Sequence, residues 1–251
     1  MRTPPPQPSC GNGLIIIAAI PCFNTEPFIS DVVSRAKKYV DQVIVINDGS
    51  QDGTAETARA AGALVINHGR NKGYGEAVKS CFEAAKANGA DILLTLDGDG
   101  QHNPDEIPRV LSDVLNNGTD IVIGSRFLSN QTNMPGYRRL GIKLITFLFN
   151  FASKTKVQDA QSGFRAYSKR ALNTISTTER GMSISVETLI KARAHGLKIR
   201  EVATSCEYHS SSSSKNPVLH GLSVALSVIK LRLKNFHIRE KSVSPDKRRI
   251  Q

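Results

Sequence analysis

The stretch of the sequence that carries the clearest chemical signal is residues 95–108, TLDGDGQHNPDEIP. Within it Asp97, Asp99 and Gln101 follow one another at a spacing of two, and an extended backbone would point all three side chains the same way. Two carboxylates this close repel each other unless a cation lies between them, and carboxylate and amide oxygens suit Mg²⁺ or Mn²⁺. Asp and Gly also form ordinary turns, so this stretch alone leaves a metal site and a turn both open.

Other loops add polar side chains that one edge of a sheet would gather. These loops follow predicted strands and carry two acids and two cations: Glu26, Asp48, Lys72 and Arg126. An acid can accept hydrogen bonds from a base or a ribose, whereas Lys and Arg neutralise phosphate. Ordinary loop chemistry explains any one of these loops, but matched polarity in all of them favours a binding site.

An alternation of strands and helices positions these loops. Continuous apolar runs predict strands at residues 14–20, 43–46, 63–66, 91–96 and 120–124, with Pro21 closing the first. Helical spacing predicts helices at residues 28–40, 54–61, 75–87 and 105–115. Apolar strands separated by helices predict an α/β fold with a mostly parallel, Rossmann-related sheet that has helices on both faces. Ligands of such sheets bind beyond the carboxyl ends of the strands.

The rhythm changes after residue 126. Residues 134–155 are long, apolar and basic, residues 183–195 have helical spacing, and residues 198–208 are strand-like. We expect a disordered tail at residues 1–12, one domain at 13–209, a mobile loop and an amphipathic helix at 210–236, and a charged tail at 237–251.

Composition narrows the function classes. Lys plus Arg is 33 against 22 Asp plus Glu, a formal charge of +11 that suits a nucleic acid, an anionic membrane surface or a phosphorylated substrate. The four cysteines form no CxxC pair, which indicates reduced thiols and a cytoplasmic setting. We find neither a signal peptide nor an apolar run of the ~18 residues that a membrane span needs. The sequence therefore predicts a protein that is soluble or lies on a membrane.

Six motifs carry a family resemblance: IPCFNTE, VINDGSQDGT, NKGYGEA, LDGDGQHNPDEI, VIGSRF and QSGFRAYSK. In this order and spacing they resemble the family 2 inverting glycosyltransferases of GT-A fold, and within these the polyprenyl-phosphate sugar synthases of the dolichol-phosphate mannose synthase type. The resemblance covers about residues 15–208. It implies a nucleotide-sugar donor (GDP-mannose, UDP-glucose or UDP-N-acetylglucosamine), Mg²⁺ or Mn²⁺ as cofactor, and a polyprenyl (dolichyl) phosphate acceptor.

The resemblance also implies roles for individual residues. The nucleotide sugar would be held by Pro21, Phe23, Glu26, Asp48, Lys72, Asp97 and Gly98, and the metal by Asp97, Asp99 and Gln101. The acceptor phosphate would meet Arg126, Arg165, Ser214 and Lys215, and the catalytic set would be Asp97, Asp99, Arg126 and Arg165. The arginine expected shortly before Ser214 is absent, and serines 210–213 fill its place.

The chemistry depends on the acceptor. A lipid phosphate is already anionic and needs positioning rather than a base. A saccharide hydroxyl, the alternative acceptor, needs a base, for which Asp159 and Glu187 are the candidates. Each also has a structural interpretation, Asp159 as a turn cap and Glu187 as an ion pair with Lys191. His102 neighbours the metal motif and could touch a phosphate, but we expect it to be a solvent-facing loop residue.

A helical stripe suggests how the chain could meet a lipid. Its apolar members are Leu140, Leu144, Phe147, Leu148 and Phe151, and its flanking cations are Arg138, Arg139, Lys143, Lys154 and Lys156. The stripe could lie in an anionic membrane interface, pack on the sheet or form a dimer, and the oligomeric state stays open. A basic nucleic-acid-binding module is the alternative of another class. Dispersed charges, 6% aromatic residues and the absence of Trp disfavour it.

Overall fold

A computed structural model describes residues 13–129, 133–151, 153, 155–179 and 181–208. Its seven strands are β1 (Ile16–Cys22), β2 (Gln42–Asn47), β3 (Leu64–Asn67), β4 (Ile92–Thr95), β5 (Ile121–Ser125), β6 (Arg165–Ser168) and β7 (Ile199–Ala203). Its α-helices are α1 (Glu26–Ala36), α2 (Thr54–Ala60), α3 (Tyr74–Ala87), α4 (Ile107–Asn116), α5 (Gly136–Asn150), α6 (Lys169–Thr174) and α7 (Ile184–Ala194). The predictions for residues 1–12 and 210–251 lie outside the described residues.

The strands form a single sheet in the order β3-β2-β1-β4-β6-β5-β7. All strands are parallel except β6, which pairs antiparallel with both β4 and β5. The chain order reverses between β1 and β4, and a reversal of this kind opens a crevice at the carboxyl ends of the strands. The predicted α/β fold with a mostly parallel sheet is therefore confirmed.

The core lies on both faces of the sheet because the strand side chains alternate. In β1, Ile17 and Ala19 join the core beneath α3, α5, α6 and α7, whereas Ile16, Ala18 and Ile20 join the core beneath α1, α2 and α4. Helices cover β1 on both faces, so neither face meets water. This explains why the strand is apolar at every position.

Two features of the sheet differ from the sequence predictions. Pro21 does not close β1 but lies within it, beyond the part of the strand that pairs with β4, where a residue without an N–H is tolerated. The strand β6 was not predicted, because it has only four residues and its first, Arg165, is charged.

None of the helices in the described ranges combines the length and the apolar character that crossing a lipid bilayer requires. The longest of them, α5, has 15 residues.

Candidate active site

The carboxyl ends of β1, β2 and β4 meet at one rim of the sheet, and Cys22 connects them. Its carbonyl oxygen accepts a hydrogen bond from the backbone N–H of Asp48 at 2.8 Å. Its sulfur lies so close to Gly98 that a Cβ at that glycine would come within 2.4 Å of it. The loop that carries Asp48 and the loop that carries Asp97 are thus packed on the same residue, as the sequence predicted for a common rim.

Asp97 stands at the centre of the rim. The hydroxyl of Tyr74, the first residue of α3, lies 3.3 Å from its Oδ1. Because β6 is antiparallel, its start lies at the same rim, and there Gly163 approaches Asp97 closely. The carbonyl of Gly163 accepts a hydrogen bond from the Thr95 hydroxyl at 2.8 Å. Protein atoms surround Asp97 on most sides, yet its side chain is 31% exposed and is therefore open to a ligand.

The electrostatics of the pair Asp97 and Asp99 favour a cation. Burial raises the pKa of Asp97, while the charges of Arg126 and Arg165 act against this rise. Burial and then the charge of Asp97 raise the pKa of Asp99. Two desolvated carboxylates that repel each other are stabilised by a divalent cation, which would supply the missing countercharge.

The side chains of Asp97, Asp99 and Gln101 suit Mg²⁺ or Mn²⁺, which share their coordination shell with water and phosphate. They do not suit a metal whose ligands all come from the protein. Among the residues that the structure describes, no group of three or more His, Cys, Asp or Glu side chains is placed to hold a metal. Mg²⁺ needs no such group, because it commonly binds through one or two carboxylates and completes its shell with water and phosphate oxygens. Gln101, the third predicted ligand, has its backbone N–H bonded to Asp99 Oδ1 at 3.1 Å, so the turn holds these two residues together.

His102 is buried, and the prediction that it faces solvent is wrong. It is 3% exposed, its ring stacks at a tilt on Phe164, and its backbone forms a bridge to Cys206. Its Nδ1 lies 3.3 Å from the backbone N–H of Asp97, so Nδ1 accepts and the ring proton belongs on Nε2. Burial lowers the pKa of His102 to about 4, so the ring stays neutral. The hydrogen bond that its Nδ1 accepts from Asp97 stabilises the turn that carries both aspartates.

Gly163→Ala is expected to impair the site while leaving the fold intact. The added Cβ would lie 2.8 Å from both carboxylate oxygens of Asp97 and 3.0 Å from the Tyr74 hydroxyl, so the carboxylate must move. A displaced ligand or supporting group commonly costs about 10–100-fold in metal affinity. The measurement is the Mn²⁺ concentration that gives half-maximal activity. Gly181→Ala is the control, because its methyl meets nothing within 4 Å; an equal effect of both variants would contradict the expectation.

The predicted nucleotide side is built around Asp48. Its carboxylate accepts hydrogen bonds from the backbone N–H groups of Lys72 (2.9 Å) and Gly73 (2.8 Å) and lies 2.6 Å from Nδ1 of His68. Ser80 Oγ lies 2.9 Å from Nε2 of the same histidine. Asp48 is therefore buried and fixes the loop before α3, while the Lys72 side chain is exposed at the rim. Direct contact between Asp48 and a nucleotide stays a prediction.

The loop after β1 contributes an exposed aromatic ring and an anchored acid. Phe23 is 45% exposed, whereas Pro21 is buried. Glu26 accepts a hydrogen bond from the backbone N–H of Gly53 at 2.9 Å, which ties the start of α1 to the loop after β2. The exposed ring of Phe23 is accessible to a ligand, and its contact with the nucleotide stays a prediction.

Arg126 is held by an acid that the sequence had nominated as a base. Its Nε and Nη2 each lie 2.7 Å from an oxygen of Asp159, and its Nη1 donates to the hydroxyl of Tyr208 at 3.0 Å. Burial opposes ionisation of both groups, but their mutual attraction outweighs it, so the pKa of Asp159 is lowered and that of Arg126 is raised. Asp159 also caps the turn at Gln161, as its structural interpretation requires. It is poorly suited to remove a proton.

Arg165 does not lie where the prediction places it. It is 1% exposed, and its guanidinium donates to the carbonyls of Ser185 (2.7 Å) and Ala160 (2.8 Å) and to the hydroxyl of Thr188 (2.8 Å). These bonds enclose it between α7 and the segment before β6. This placement corrects the expectation of a phosphate contact, because the guanidinium instead supports Asp97 electrostatically from beneath the rim.

The other candidate base is also engaged. Glu187 is fully buried, forms a 2.8 Å ion pair with Lys191, and accepts hydrogen bonds from the backbone N–H groups of Thr178 and Glu179. Its structural interpretation as an ion pair therefore holds. Ser214 and Lys215, predicted to meet the acceptor, lie outside the described residues.

The helix α5, which follows the rim arginine in sequence, exposes an apolar face. Tyr137, Leu140, Leu144, Phe147 and Phe151 are each more than half exposed, whereas Ile142, Ile145 and Phe149 are buried. Leu148, which the predicted stripe included, packs against the core instead. Most of the predicted stripe therefore does not pack on the sheet.

Paired carboxylates at the rim of a sheet do not by themselves identify a family, and comparison with known sequences does. The sequence profile described as "Glycosyl transferase family 2" matches residues 17–176, more than half of the chain. The chain belongs to glycosyl transferase family 2. It is an enzyme, which disfavours the alternative of a nucleic-acid-binding module.

Named relatives place this family 2 glycosyltransferase with the dolichol-phosphate sugar transferases, as predicted. The UDP-N-acetylglucosamine–dolichyl-phosphate N-acetylglucosaminyltransferase of Methanococcus voltae is 31% identical over 245 residues, covering 87% of this chain and 96% of that protein. The dolichyl-phosphate hexose transferase of Haloferax volcanii is 31% identical over 213 residues, covering 84% of this chain and 91% of that protein.

A solved structure supports the predicted GT-A fold. The glucosyl-3-phosphoglycerate synthase of Mycobacterium tuberculosis, in complex with Mn²⁺, UDP and phosphoglyceric acid, aligns with a TM-score of 0.67. The alignment covers 94% of this chain and 81% of that one at 22% sequence identity, so it speaks for the fold alone.

Sequence reasoning missed Tyr74, Gly163 and Tyr208 at this glycosyltransferase's rim, and it predicted the wrong environment for His102. Tyr74 and Gly163 lie within motifs that pointed to the family, so position in a rim loop was a usable signal. The burial of His102 and the contact of Tyr208 with Arg126 depend on the segment after β7, which no local pattern connects to the rim.

Proposed function

We propose that this glycosyltransferase moves a hexose from a nucleotide-diphosphate sugar to a polyprenyl (dolichyl) phosphate, with inversion and with Mg²⁺ or Mn²⁺ as cofactor. Residues 13–209 would form the catalytic domain. The observation that carries the choice of acceptor is the state of Asp159 and Glu187: both are buried and paired with cations. An acceptor that brings its own negative charge needs neither of them as a base.

The chain's residues then have distinct tasks. Asp97, Asp99 and Gln101 would hold the cation, which when bound stabilises the negative charge that develops on the leaving diphosphate. Phe23, Glu26, Asp48, Lys72 and Gly98 would shape the nucleotide pocket at the ends of β1 to β4. The dolichyl-phosphate relatives support a lipid acceptor, and the relative named for UDP-N-acetylglucosamine supports a nucleotide-sugar donor. The choice of a divalent cation rests on the paired carboxylates of Asp97 and Asp99.

The test is transfer by the purified enzyme to a short-chain polyprenyl phosphate from GDP-mannose, UDP-glucose and UDP-N-acetylglucosamine, each with Mg²⁺ or Mn²⁺. We expect product from one donor with the lipid phosphate and none with the corresponding polyprenol. Thermal-shift measurements with the same nucleotides identify the donor independently, because a ligand of the folded state raises the melting temperature. Transfer only to a saccharide hydroxyl would contradict the proposal.

We propose further that the enzyme works at the cytoplasmic face of a membrane, with α5 lying on an anionic surface. The exposed apolar face of α5 carries the exposed cations Arg139 and Lys143, and each basic residue near anionic lipid contributes about 1 kcal/mol. Cys22, Cys81 and Cys206 are free thiols, which supports a reducing compartment.

Replacing two apolar residues of this face should abolish membrane binding. We expect the wild-type protein to float with vesicles that contain anionic lipid at low salt, and Leu140→Glu combined with Phe147→Glu to reduce the floated fraction by about tenfold or more, since each change removes a side chain worth about 2 kcal/mol on burial. Leu64→Glu, on an exposed leucine of β3, is the matched control and should float normally. Failure of the wild-type protein to float would remove the hypothesis.

A further inference from the structure

The segment after β7 spans the rim and is fixed to the proposed metal motif. This segment, residues 204–208, we call the strap. The backbone N–H of Glu207 donates to the carbonyl of Gln101 at 2.9 Å, and both the N–H and the hydroxyl of Ser205 donate to Glu106 Oε2. Cys206 forms the backbone bridge to His102. The strap therefore keeps a set position relative to Asp97 and Asp99.

The end of the strap is also held by the segment just before α5 and contacts α5 itself. The backbone N–H of Tyr208 donates to Asn133 Oδ1 at 2.7 Å, and the Asn133 side chain donates back to the carbonyl of Tyr208 at 3.3 Å. The guanidinium of Arg138 lies 5.3 Å from the centre of the Tyr208 ring, within the range of a cation–π contact. Tyr208 thus stands between the metal motif and the helix that we propose lies on the membrane.

Among the residues that the structure describes, the strong hydrogen-bond partner of the Tyr208 hydroxyl is Arg126. The hydroxyl accepts from Nη1 of Arg126 at 3.0 Å, while Nε and Nη2 of that arginine are engaged with Asp159. The thiol of Cys206, a weak hydrogen-bond acceptor, lies within hydrogen-bonding reach of the same hydroxyl. Burial raises the pKa of Tyr208 to about 12, so the hydroxyl keeps its hydrogen at neutral pH. A phosphate oxygen would be a much stronger acceptor for that hydrogen than a thiol.

We propose that Tyr208 is an acceptor-binding residue, whose hydroxyl donates a hydrogen bond to the phosphate of the polyprenyl phosphate while it accepts one from Arg126. The inference rests on the proposed function and adds a residue that no motif indicated. Arg126 then acts largely through Tyr208, because Asp159 holds the guanidinium in place and the guanidinium polarises the Tyr208 hydroxyl. In a series of linked hydrogen bonds such as Asp159–Arg126–Tyr208–phosphate, each bond strengthens its neighbours. The segment that follows Tyr208 is the one in which Ser214 and Lys215 were predicted to meet the same phosphate.

Tyr208→Phe tests the proposal, because it removes the hydroxyl and keeps the ring over which Arg138 lies. We expect the KM for a short-chain polyprenyl phosphate to rise by about tenfold or more, the loss expected for one hydrogen bond to a charged group. The KM for the nucleotide sugar should stay within about twofold, since the donor does not touch this hydroxyl. Calorimetric binding of the lipid phosphate should weaken by the same factor, whereas binding of the matching polyprenol should not change.

The matched control is Tyr39→Phe. Tyr39 follows α1, and its hydroxyl donates a hydrogen bond to Asp105. Removing this hydroxyl should leave both KM values unchanged. Circular dichroism and urea unfolding verify that each variant folds. An unchanged KM for the lipid phosphate in Tyr208→Phe, or an equal rise in the KM values for both substrates, would overturn the inference about Tyr208. The proposed function would still hold if the wild-type enzyme transfers sugar to the lipid phosphate. If the wild-type enzyme neither binds nor uses polyprenyl phosphate, the proposed function itself fails.

Discussion

Asp99→Asn should reduce metal-dependent sugar transfer by about two to three orders of magnitude, the usual effect of removing one group that stabilises transition-state charge. The substitution keeps the size of the side chain and removes the negative charge. The pKa of the Asp99 carboxyl is raised by burial and by Asp97, so the neutral amide relieves repulsion in the protein without a cation. The fold should therefore persist, and the variant should be at least as resistant to heat as the wild type.

Two measurements check this expectation. The first is the initial rate of transfer as a function of Mn²⁺ concentration, and the second is the rise in melting temperature that Mn²⁺ causes in the presence of UDP or GDP. Both should be lost in Asp99→Asn. Asp105→Asn is the control, because Asp105 pairs with Arg35 at 2.8 Å on the exposed surface. Full metal-dependent activity in Asp99→Asn would refute the metal role of the motif.

Asp159→Ala should destabilise the protein by about 3–5 kcal/mol, because it leaves the guanidinium of Arg126 buried without its partner. Urea unfolding gives the difference in the free energy of unfolding. Asp113→Ala is the comparison, since its partner Arg200 is 60% exposed and the contact is 3.5 Å long; we expect a loss of about 1 kcal/mol or less there.

The stability difference between the wild type and Asp159→Ala should depend on pH in one direction. The pKa of Asp159 in the folded protein lies below its ordinary value of 3.8, so its ionised form stabilises the fold. This contribution is complete above the ordinary pKa and is lost as the pH falls through the folded-state pKa. The free energies of unfolding of the wild type and Asp159→Ala should therefore approach each other only at pH values below the folded-state pKa of Asp159. A constant difference across this range would show that Asp159 does not act as a paired carboxylate.

The sequence was sufficient to predict the parallel strands and the edge of the sheet at which their polar loops lie, but not the antiparallel strand β6. The strands β1, β2, β4 and β5 are continuous apolar runs, and each ends at a polar loop, so their common edge followed from the parallel arrangement. The same argument predicted that the loops of Asp48 and Asp97 share one rim, and both loops contact Cys22.

The sequence was not sufficient to predict which charged residues face the cleft. Arg165 lies in a motif that suggested a ligand-facing turn. Its guanidinium instead donates to carbonyls of α7 and of the segment before β6. Periodic sequence patterns do not reveal such backbone partners. Arg126 and Asp159 were assigned to different tasks because their pairing spans 33 residues. Long-range hydrogen bonds between polar groups leave no periodic signature, whereas burial of apolar faces does.

The antiparallel strand β6 determines the width of the working cleft. In an uninterrupted parallel sheet β4 and β5 would be neighbours, about 4.8 Å apart, and the insertion of β6 between them doubles that spacing to roughly 10 Å. The acidic loop after β4 and the basic residue after β5 are thus separated by one strand, which begins at the buried Arg165 and is preceded by the small Gly163. If the donor and the acceptor are those that we propose, this spacing would let the two negatively charged groups approach from opposite sides of the middle strand.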